Sequence, residues 1–277
     1  MAELSPTSEF RSIMKGRCLI CDSLGKLSRD HVPPRSVVPL KRVEVQRVIA
    51  LWGGQPNQKP RKAFQSIEFP SLCQICNSDR LGSTYDPYLA EFAKAVTTWV
   101  RSAFQLYLTL PGSFSIAIKP HRVARAVIGH LLAAEERKDP TAPLRNGPMP
   151  DDMRRYFLNV DEPAPAALEL YVWPYASETQ RIVRAFSVAE LGSNDSVLGS
   201  VLKFFPLAFW LVYERPETTH IRLPSLPLHL AGGLDLETTI TLPLKGIPRP
   251  DFPEAPGPSG IVMMNNESTF TATPPRR

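Results

Sequence analysis

The sequence lacks the segments that direct a chain into or across a membrane. Residues 1–6 have neither the basic start nor the apolar core of a secretory signal. The most apolar run, residues 197–213, is interrupted by Lys203 and Pro206 and falls short of the ~20 apolar residues that a membrane helix needs. We interpret this run as a buried strand pair, and we expect a cytoplasmic protein with no membrane partner.

Cysteine is scarce: the 277 residues include four, in two Cys-x2-Cys pairs formed by Cys18 with Cys21 and by Cys73 with Cys76. Cytosolic thiols stay reduced, so metal binding is favoured over disulfide formation. Four thiolates suit the tetrahedral coordination of zinc, although spacing alone leaves an iron–sulfur cluster open. A redox pair would need a βαβ context that this sequence does not show. The cysteines therefore predict a structural Zn²⁺ site that stabilises a short segment and performs no chemistry itself.

Acidic side chains are few in the segment that holds the cysteines. The chain is 43% hydrophobic and 21% charged, which is typical of a folded protein, and its net charge is +5. The first 80 residues carry 13 of the 32 basic side chains and 7 of the 27 acidic ones, so the whole positive excess lies there. A basic surface attracts polyanions such as nucleic acid, but charge alone fits an ordinary solvated face equally well.

Hydrophobic periodicity predicts an α+β fold. Apolar side chains at spacings of three and four predict helices over residues 79–108, 121–137 and 151–158. Asp86 followed by proline is a typical helix start within the first of them. Residues 35–52 fit either a strand or a helix. Short β-branched or alternating segments predict strands over 27–32, 67–70, 113–118, 168–173, 181–188, 201–205, 208–213, 220–223 and 238–242.

These patterns divide the chain into four predicted segments. A lead-in, residues 1–14, precedes a zinc-stapled module with a long exit helix over residues 15–110. A C-terminal α+β domain over 111–246 would combine two helices with a mixed or antiparallel sheet. The proline-rich remainder, 247–277, predicts a disordered tail. The role of the C-terminal domain stays open between nucleic acid, a partner protein and a second copy of the chain in a homodimer.

The cysteine-bearing segment resembles a known family. Residues 30–34 read Asp-His-Val-Pro-Pro at the end of a predicted strand, and the second cysteine pair is followed by Asn77 and then Leu-Gly before a helix. With the two Cys-x2-Cys pairs, this pattern over about residues 15–95 resembles a zinc-stapled HNH endonuclease with a ββα-metal core. The resemblance implies a phosphodiester hydrolase acting on DNA, with RNA as a second candidate substrate. It also suggests a bacterial or phage setting, with a role in defence or in mobile elements.

The resemblance also implies roles for individual residues. His31 would be the general base, and Asp30 and Asn77 would hold a catalytic Mg²⁺ or Mn²⁺. A histidine near its ordinary pKa can accept a proton at neutral pH, and carboxylate and amide oxygens are hard ligands for such an ion. Asn57, the one asparagine between the strands, is a candidate for orienting the base. The cations expected to contact phosphates are Arg29, Arg35, Lys59, Arg61, Lys62 and Arg80.

Simpler interpretations remain for the same residues. Asp30 and His31 could form a surface turn, and Asn77 could cap the following helix. Asp86 is interpreted as a helix cap first and as a site residue second. The other histidines, His121, His130, His220 and His229, show no ligand spacing and are taken as ordinary surface or core residues. The alternative function is a zinc-binding module that binds nucleic acid or protein without cutting.

Overall fold

The computed structural model describes residues 14–48, 59–105, 111–192, 195–255, 260–264 and 268–275. Asn57 lies outside these residues. The described chain contains three α-helices: α1 (Asp86–Gln105), α2 (Pro120–Ala133) and α3 (Pro148–Leu158). A π-helical segment, Ile75–Tyr85, runs directly into α1, in place of the regular helix predicted there. With the strands described next, these elements confirm the predicted α+β class.

Most strands belong to one antiparallel sheet of eight. Its strands are β4 (Arg42–Arg47), β5 (Arg61–Phe64), β8 (Leu168–Pro174), β9 (Gln180–Glu190), β10 (Ser196–Phe204), β11 (Leu207–Tyr213), β13 (Gly260–Met263) and β14 (Thr269–Thr273). The order is β5-β4-β14-β9-β10-β11-β8, and β13 also pairs with β9. Three further antiparallel pairs are β1 (Lys15–Arg17) with β2 (Leu24–Lys26), β3 (Ser28–Val32) with β6 (Ile67–Leu72), and β7 (Ser113–Ile118) with β12 (Thr238–Pro243).

The apolar run over residues 197–213 forms the strand pair that the sequence predicts. Strands β10 and β11 pair from Leu198 with Tyr213 to Phe204 with Leu207, and every residue of β11 is buried. A strand buried on both faces reads as a continuous apolar run rather than as an alternation. Within the part of the chain that the structure describes, no helix combines the length and apolarity that crossing a membrane requires.

The predicted division of the chain at residue 110 does not separate two hydrophobic cores. Strands β4 and β5, from the N-terminal segment, extend the large sheet through pairing between β4 and β14. One continuous apolar cluster joins Ile67 and Leu81 from the N-terminal segment with Leu132 and Phe209 from the C-terminal one. The segments fold together because neither the β3–β6 pair nor the π-helical segment can bury its apolar side chains alone.

The predicted disordered tail is wrong for the residues that the structure describes after 247. Strand β14 inserts between β4 and β9, and Phe270 on it is 2% exposed. The preceding segment is held by an ion pair in which Lys203 Nζ donates to both carboxylate oxygens of Glu254, at 2.6 and 2.7 Å. A segment with many prolines becomes ordered when a sheet supplies its hydrogen-bond partners.

Two other predicted elements differ from the structure. Residues 220–223 do not form a strand, although nearby Ser225 makes an isolated bridge to Tyr171. Helix α2 ends at Ala133, four residues before its predicted end. Residues 35–52, for which the sequence left strand and helix open, contain the 3-10 turn Arg35–Val37 and strand β4 within the part that the structure describes. The early end of α2 places Glu135, Glu136 and Arg137 in a loop at the surface.

Helix α2 is the element that positions the site. It is buried almost all round and contacts α1, α3, the π-helical segment and β3. Gly129 permits this packing, because a Cβ there would lie 2.6 Å from Leu81 Cδ2 and from Phe157 Cε2. The close approach brings the next residue, His130, into contact with groups from β3 and α1.

Candidate functional site

The four cysteines converge as the sequence predicts. Their sulfur atoms all lie within 4.8 Å of one another, and Cys21 Sγ is 3.7 Å from Cys73 Sγ. The first pair lies in a turn closed by the amide of Asp22 donating to the carbonyl of Cys18, at 2.9 Å, and the second pair opens the π-helical segment. Four soft thiol donors at this separation could hold a metal ion such as zinc.

A hydrogen bond between two of the cysteines makes their thiol pKa values differ. A hydrogen bond from Cys76 lowers the pKa of Cys18 to about 5, and the same bond raises the pKa of the Cys76 thiol. Burial raises the pKa of Cys73. A positive ion would replace the shared protons and allow all four sulfurs to bind as thiolates.

His31 lies on the outer face of the β3–β6 pair. It stands opposite Glu68 in the strand register, and its Nε2 is 3.8 Å from Glu68 Oε1. Its Nδ1 is 3.2 Å from Ser66 Oγ, and 18% of the side chain is exposed. Burial, followed by the charge of Arg35, lowers the pKa of His31 below its ordinary value. The imidazole is therefore neutral at pH 7 and able to accept a proton.

Asp30 points the opposite way, into the protein. Successive residues of a strand face opposite sides, so the neighbour of an exposed His31 is buried, and Asp30 is 3% exposed. Its Oδ2 accepts a hydrogen bond from Nδ1 of His130, at 2.9 Å. Nε2 of the same histidine donates to Asp86 Oδ1, also at 2.9 Å. A fully buried imidazole thus bridges a carboxylate on β3 and one at the start of α1.

The bridging histidine is charged. Burial opposes the imidazolium, but the carboxylates of Asp30 and Asp86 outweigh that effect and raise the pKa of His130 to about 10. The prediction that His130 is an ordinary residue missed this role, and Asp86 uses its carboxylate here. No local spacing could have signalled the contact, because His130 lies 100 positions from Asp30.

Asn77 reaches back to β3 from the second cysteine pair. Its Nδ2 donates to the carbonyl oxygen of Arg29 and to Ser28 Oγ, each at 3.0 Å. The π-helical segment begins after Gln74 with no side-chain capping bond, so Asn77 joins strand and helix and does not cap the helix. Asn77 therefore contacts the first two residues of β3, Ser28 and Arg29, whereas Asp30 and His31 are the third and fourth residues of the strand.

Asp30 and Asn77 do not fit a catalytic Mg²⁺ or Mn²⁺. The carboxylate of Asp30 is buried against a positive charge, which disfavours a second cation, and Asn77 directs its N–H toward β3. Among the described His, Cys, Asp and Glu side chains, the four cysteines are the only group of three or more whose ligand atoms converge. No chemical step is assigned to a divalent ion here.

Five of the six cations predicted to contact phosphates lie in two places on the structure, and the sixth, Arg80, belongs to neither. Arg29 and Arg35 flank His31, with Glu68 between them at 3.0 and 3.9 Å. Arg80 is engaged elsewhere, because its Nη1 donates to the carbonyl of Leu158 at 3.0 Å. The second group, on or beside β5, consists of Lys59, Arg61 and Lys62, all of them exposed.

The contribution of His130 to the free energy of unfolding should fall as the pH rises from about 6.5 toward 10. The pKa of His130 is raised from 6.5 to about 10, so the folded protein keeps a proton that the unfolded chain loses. This contribution is complete below pH 6.5 and disappears as the pH passes 10. Urea unfolding of the wild type and of His130→Gln across this range should show a stability difference that shrinks with pH. A constant or growing difference would contradict the charged bridge.

Two of the side chains that organise this site, those of His130 and Glu68, carry no sequence signal, since tertiary packing and strand register place them. The cysteines, Asp30, His31 and Asn77 are recognisable in the sequence. Comparison of the chain with family models, with curated proteins and with solved structures finds no match.

Proposed function

We propose that this chain is a zinc-stapled hydrolase of phosphodiester bonds in nucleic acid, with DNA as its first candidate substrate. The observation that carries the proposal is the position of His31. It is a neutral, partly exposed imidazole between two arginines, on a strand that Asn77 and the cysteine cluster join to a helix. The pairing of β3 with β6, followed by the π-helical segment, supports the resemblance to HNH endonucleases, although β4 and β5 lie between the two strands in the chain.

The chemistry assigned to His31 is removal of a proton from water. A general base works best when its pKa lies near the working pH, and a lowered pKa keeps this imidazole unprotonated at pH 7. Ser66 Oγ lies 3.2 Å from Nδ1 and fixes the ring, while Nε2 faces Glu68 and the solvent side of the strand pair. Water held beside the ring would lose a proton to Nε2 as its oxygen bonds to phosphorus, the bond from phosphorus to the leaving oxygen would break, and the leaving oxygen would take up a proton from solvent.

Arg29 and Arg35 are assigned to the phosphate. Both guanidinium groups are about half exposed and approach the carboxylate of Glu68 from either side. Guanidinium groups bind phosphate oxygens through paired N–H donors and stabilise negative charge that develops in the transition state. A phosphate beside His31 would compete with Glu68 for these donors.

A second candidate function is a zinc module that binds nucleic acid without cutting. One observation favours it: Asp30, the expected ligand of a catalytic ion, is buried and bound to His130. A site without a divalent ion has only the arginines to stabilise the leaving oxygen. The two functions share the same surface and differ in whether a covalent bond breaks.

The test is cleavage of supercoiled plasmid and of single-stranded DNA and RNA, with Mg²⁺, with Mn²⁺ and with no added divalent ion. We expect cleavage by the wild type and a loss of roughly 100-fold or more in His31→Ala, which removes the base. His229→Ala, at an exposed histidine far along the chain, is the matched control and should cut normally. Zinc content should be equal in all three proteins. Failure of the wild type to cut any substrate would leave the binding module as the function.

A further inference from the structure

A furrow runs beside the outer face of the β3–β6 pair. It consists of three adjoining depressions of about 150, 390 and 140 Å³. The first and second share Arg61 and Glu136, and the second and third share Leu19, Glu135 and Arg137. The shared walls make the three depressions one continuous surface, which we call the arginine furrow.

The walls of the arginine furrow carry more basic than acidic side chains, and Asp22 and Asp151, which lie outside the walls, pair with Arg17 and Arg154. The walls contain eight lysine or arginine side chains and three glutamates, an excess equal to the net charge of the whole chain. The lysine is Lys59, and the arginines range along the chain from Arg17 to Arg184. Half of these cations follow residue 80, where basic and acidic side chains nearly cancel in the sequence. Folding therefore brings together basic side chains that are far apart in the sequence.

The arginine furrow leads to His31. Glu68 lines its middle depression and stands directly opposite His31 in the strand register. Pro70, two residues along the same face of β6, lines it as well and stands opposite Arg29. A polymer lying in the furrow would therefore reach the imidazole without crossing another element of the sheet.

The cations in the furrow are arranged as phosphate ligands. Arg47 Nη2 lies 2.5 Å from Glu136 Oε2, and Arg61 Nη2 lies 3.6 Å from Glu136 Oε1, so one carboxylate sits between two guanidinium groups. Arg137 donates to the carbonyl oxygens of Ala142 and Pro143, which fix its position without neutralising its charge. A phosphate has the charge and acceptor oxygens to take the place of the Glu136 carboxylate.

We propose that the arginine furrow binds the phosphate backbone of the nucleic-acid strand that is presented to His31. The choice of nucleic acid over another polyanion rests on the proposed function. The furrow supplies the affinity, through ion contacts that do not depend on base sequence. The three glutamates limit that affinity, and Glu136 occupies one phosphate position in the free protein.

The experiment measures binding separately from cleavage. Every protein carries His31→Ala, no divalent ion is added, and the probe is a fluorescein-labelled DNA oligonucleotide, single-stranded and duplex. Arg61→Gln should weaken binding of the tighter form by roughly tenfold at low salt and reduce the salt slope by about one. Glu136→Gln should strengthen binding. Arg42→Gln removes the same charge from an exposed position on β4 outside the furrow, and it should change neither quantity.

The direction in which each substitution changes DNA binding tests the proposal. Equal weakening by Arg61→Gln and Arg42→Gln would show that only net charge matters, and weakening by Glu136→Gln would show a structural role for that carboxylate. Either result overturns the furrow, even if the wild type cuts DNA. If the variants show the expected binding pattern but the wild type cuts no substrate, the furrow binds nucleic acid and the proposed hydrolase activity is wrong.

Discussion

Substitution of Cys18 with serine should release the bound metal and unfold the segment that carries His31. The wild type should contain about one zinc ion per chain. A structural zinc contributes about 10–16 kcal/mol of binding free energy in isolated peptide modules, while whole domains are stable by only about 5–15 kcal/mol. The amide of Leu19, next to Cys18, donates to the carbonyl of Ser71 on β6, so unfolding of the turn that holds the first cysteine pair would also break this bond to the strand. Metal analysis and urea unfolding measure both effects.

Ser78→Ala is the control for this substitution. Ser78 lies two residues after Cys76 on the same π-helical segment and accepts a hydrogen bond from Gln74, but it contributes no thiol. We expect this variant to keep its zinc and its stability to within about 0.5 kcal/mol. Visible absorbance of the wild type would indicate an iron–sulfur cluster instead. A Cys18→Ser chain that folds and cuts without metal would refute the structural role of the cluster.

The features that the sequence predicts well are those determined by neighbours in the chain. The cysteine pairs are recognisable because metal ligands need a fixed spacing, and their convergence follows from the ion that they would share. Strands β7, β8 and β11 match their predicted bounds closely, because apolar alternation or a short apolar run reflects burial directly. Helix α1, Asp86–Gln105, lies within the predicted helical stretch 79–108, but it continues from a π-helical segment and does not begin at a cap.

The features that the sequence does not predict depend on distant contacts. Strand β14 contains Thr269–Thr273, a short segment after many prolines, and it becomes a central strand only because β4 and β9 present open edges to it. The arginine furrow joins residues more than 160 positions apart, from Arg17 to Arg184. Charge counted along the sequence nearly cancels over residues 81–277, which supply half of the furrow's cations, so local counting cannot find the furrow.

The Asp-His pair shows how strand geometry divides one motif between two roles. Adjacent residues on β3 face opposite sides, so the partly exposed His31 stands opposite Glu68, which lines the arginine furrow, while Asp30 enters the core. The sequence presents the two as partners at one metal ion. In the structure they are linked through the backbone of β3. A change at Asp30 would therefore affect His31 by moving the strand. Because His130 holds Asp30, it also fixes the end of the strand that carries the proposed base.

Replacement of His130 with leucine should destabilise the protein by about 3–5 kcal/mol, the cost of removing one partner from a buried ion pair. His130 is fully buried, and the change leaves the carboxylates of Asp30 and Asp86 without their shared donor. A loss of this size is a large part of the stability of a typical domain. Urea unfolding at pH 7 measures it, and any remaining folded protein should cut more slowly because β3 is no longer fixed.

His229→Leu is the matched control, since it makes the same substitution at an exposed histidine, and it should change stability by less than about 0.5 kcal/mol. The double variant Asp30→Asn with His130→Leu separates charge from packing. If the buried carboxylate causes the loss, neutralising it should restore part of the stability that His130→Leu removes, because fewer unpaired charges remain in the core. If the double variant is less stable than His130→Leu, the bridge stabilises the fold through packing rather than through its charges.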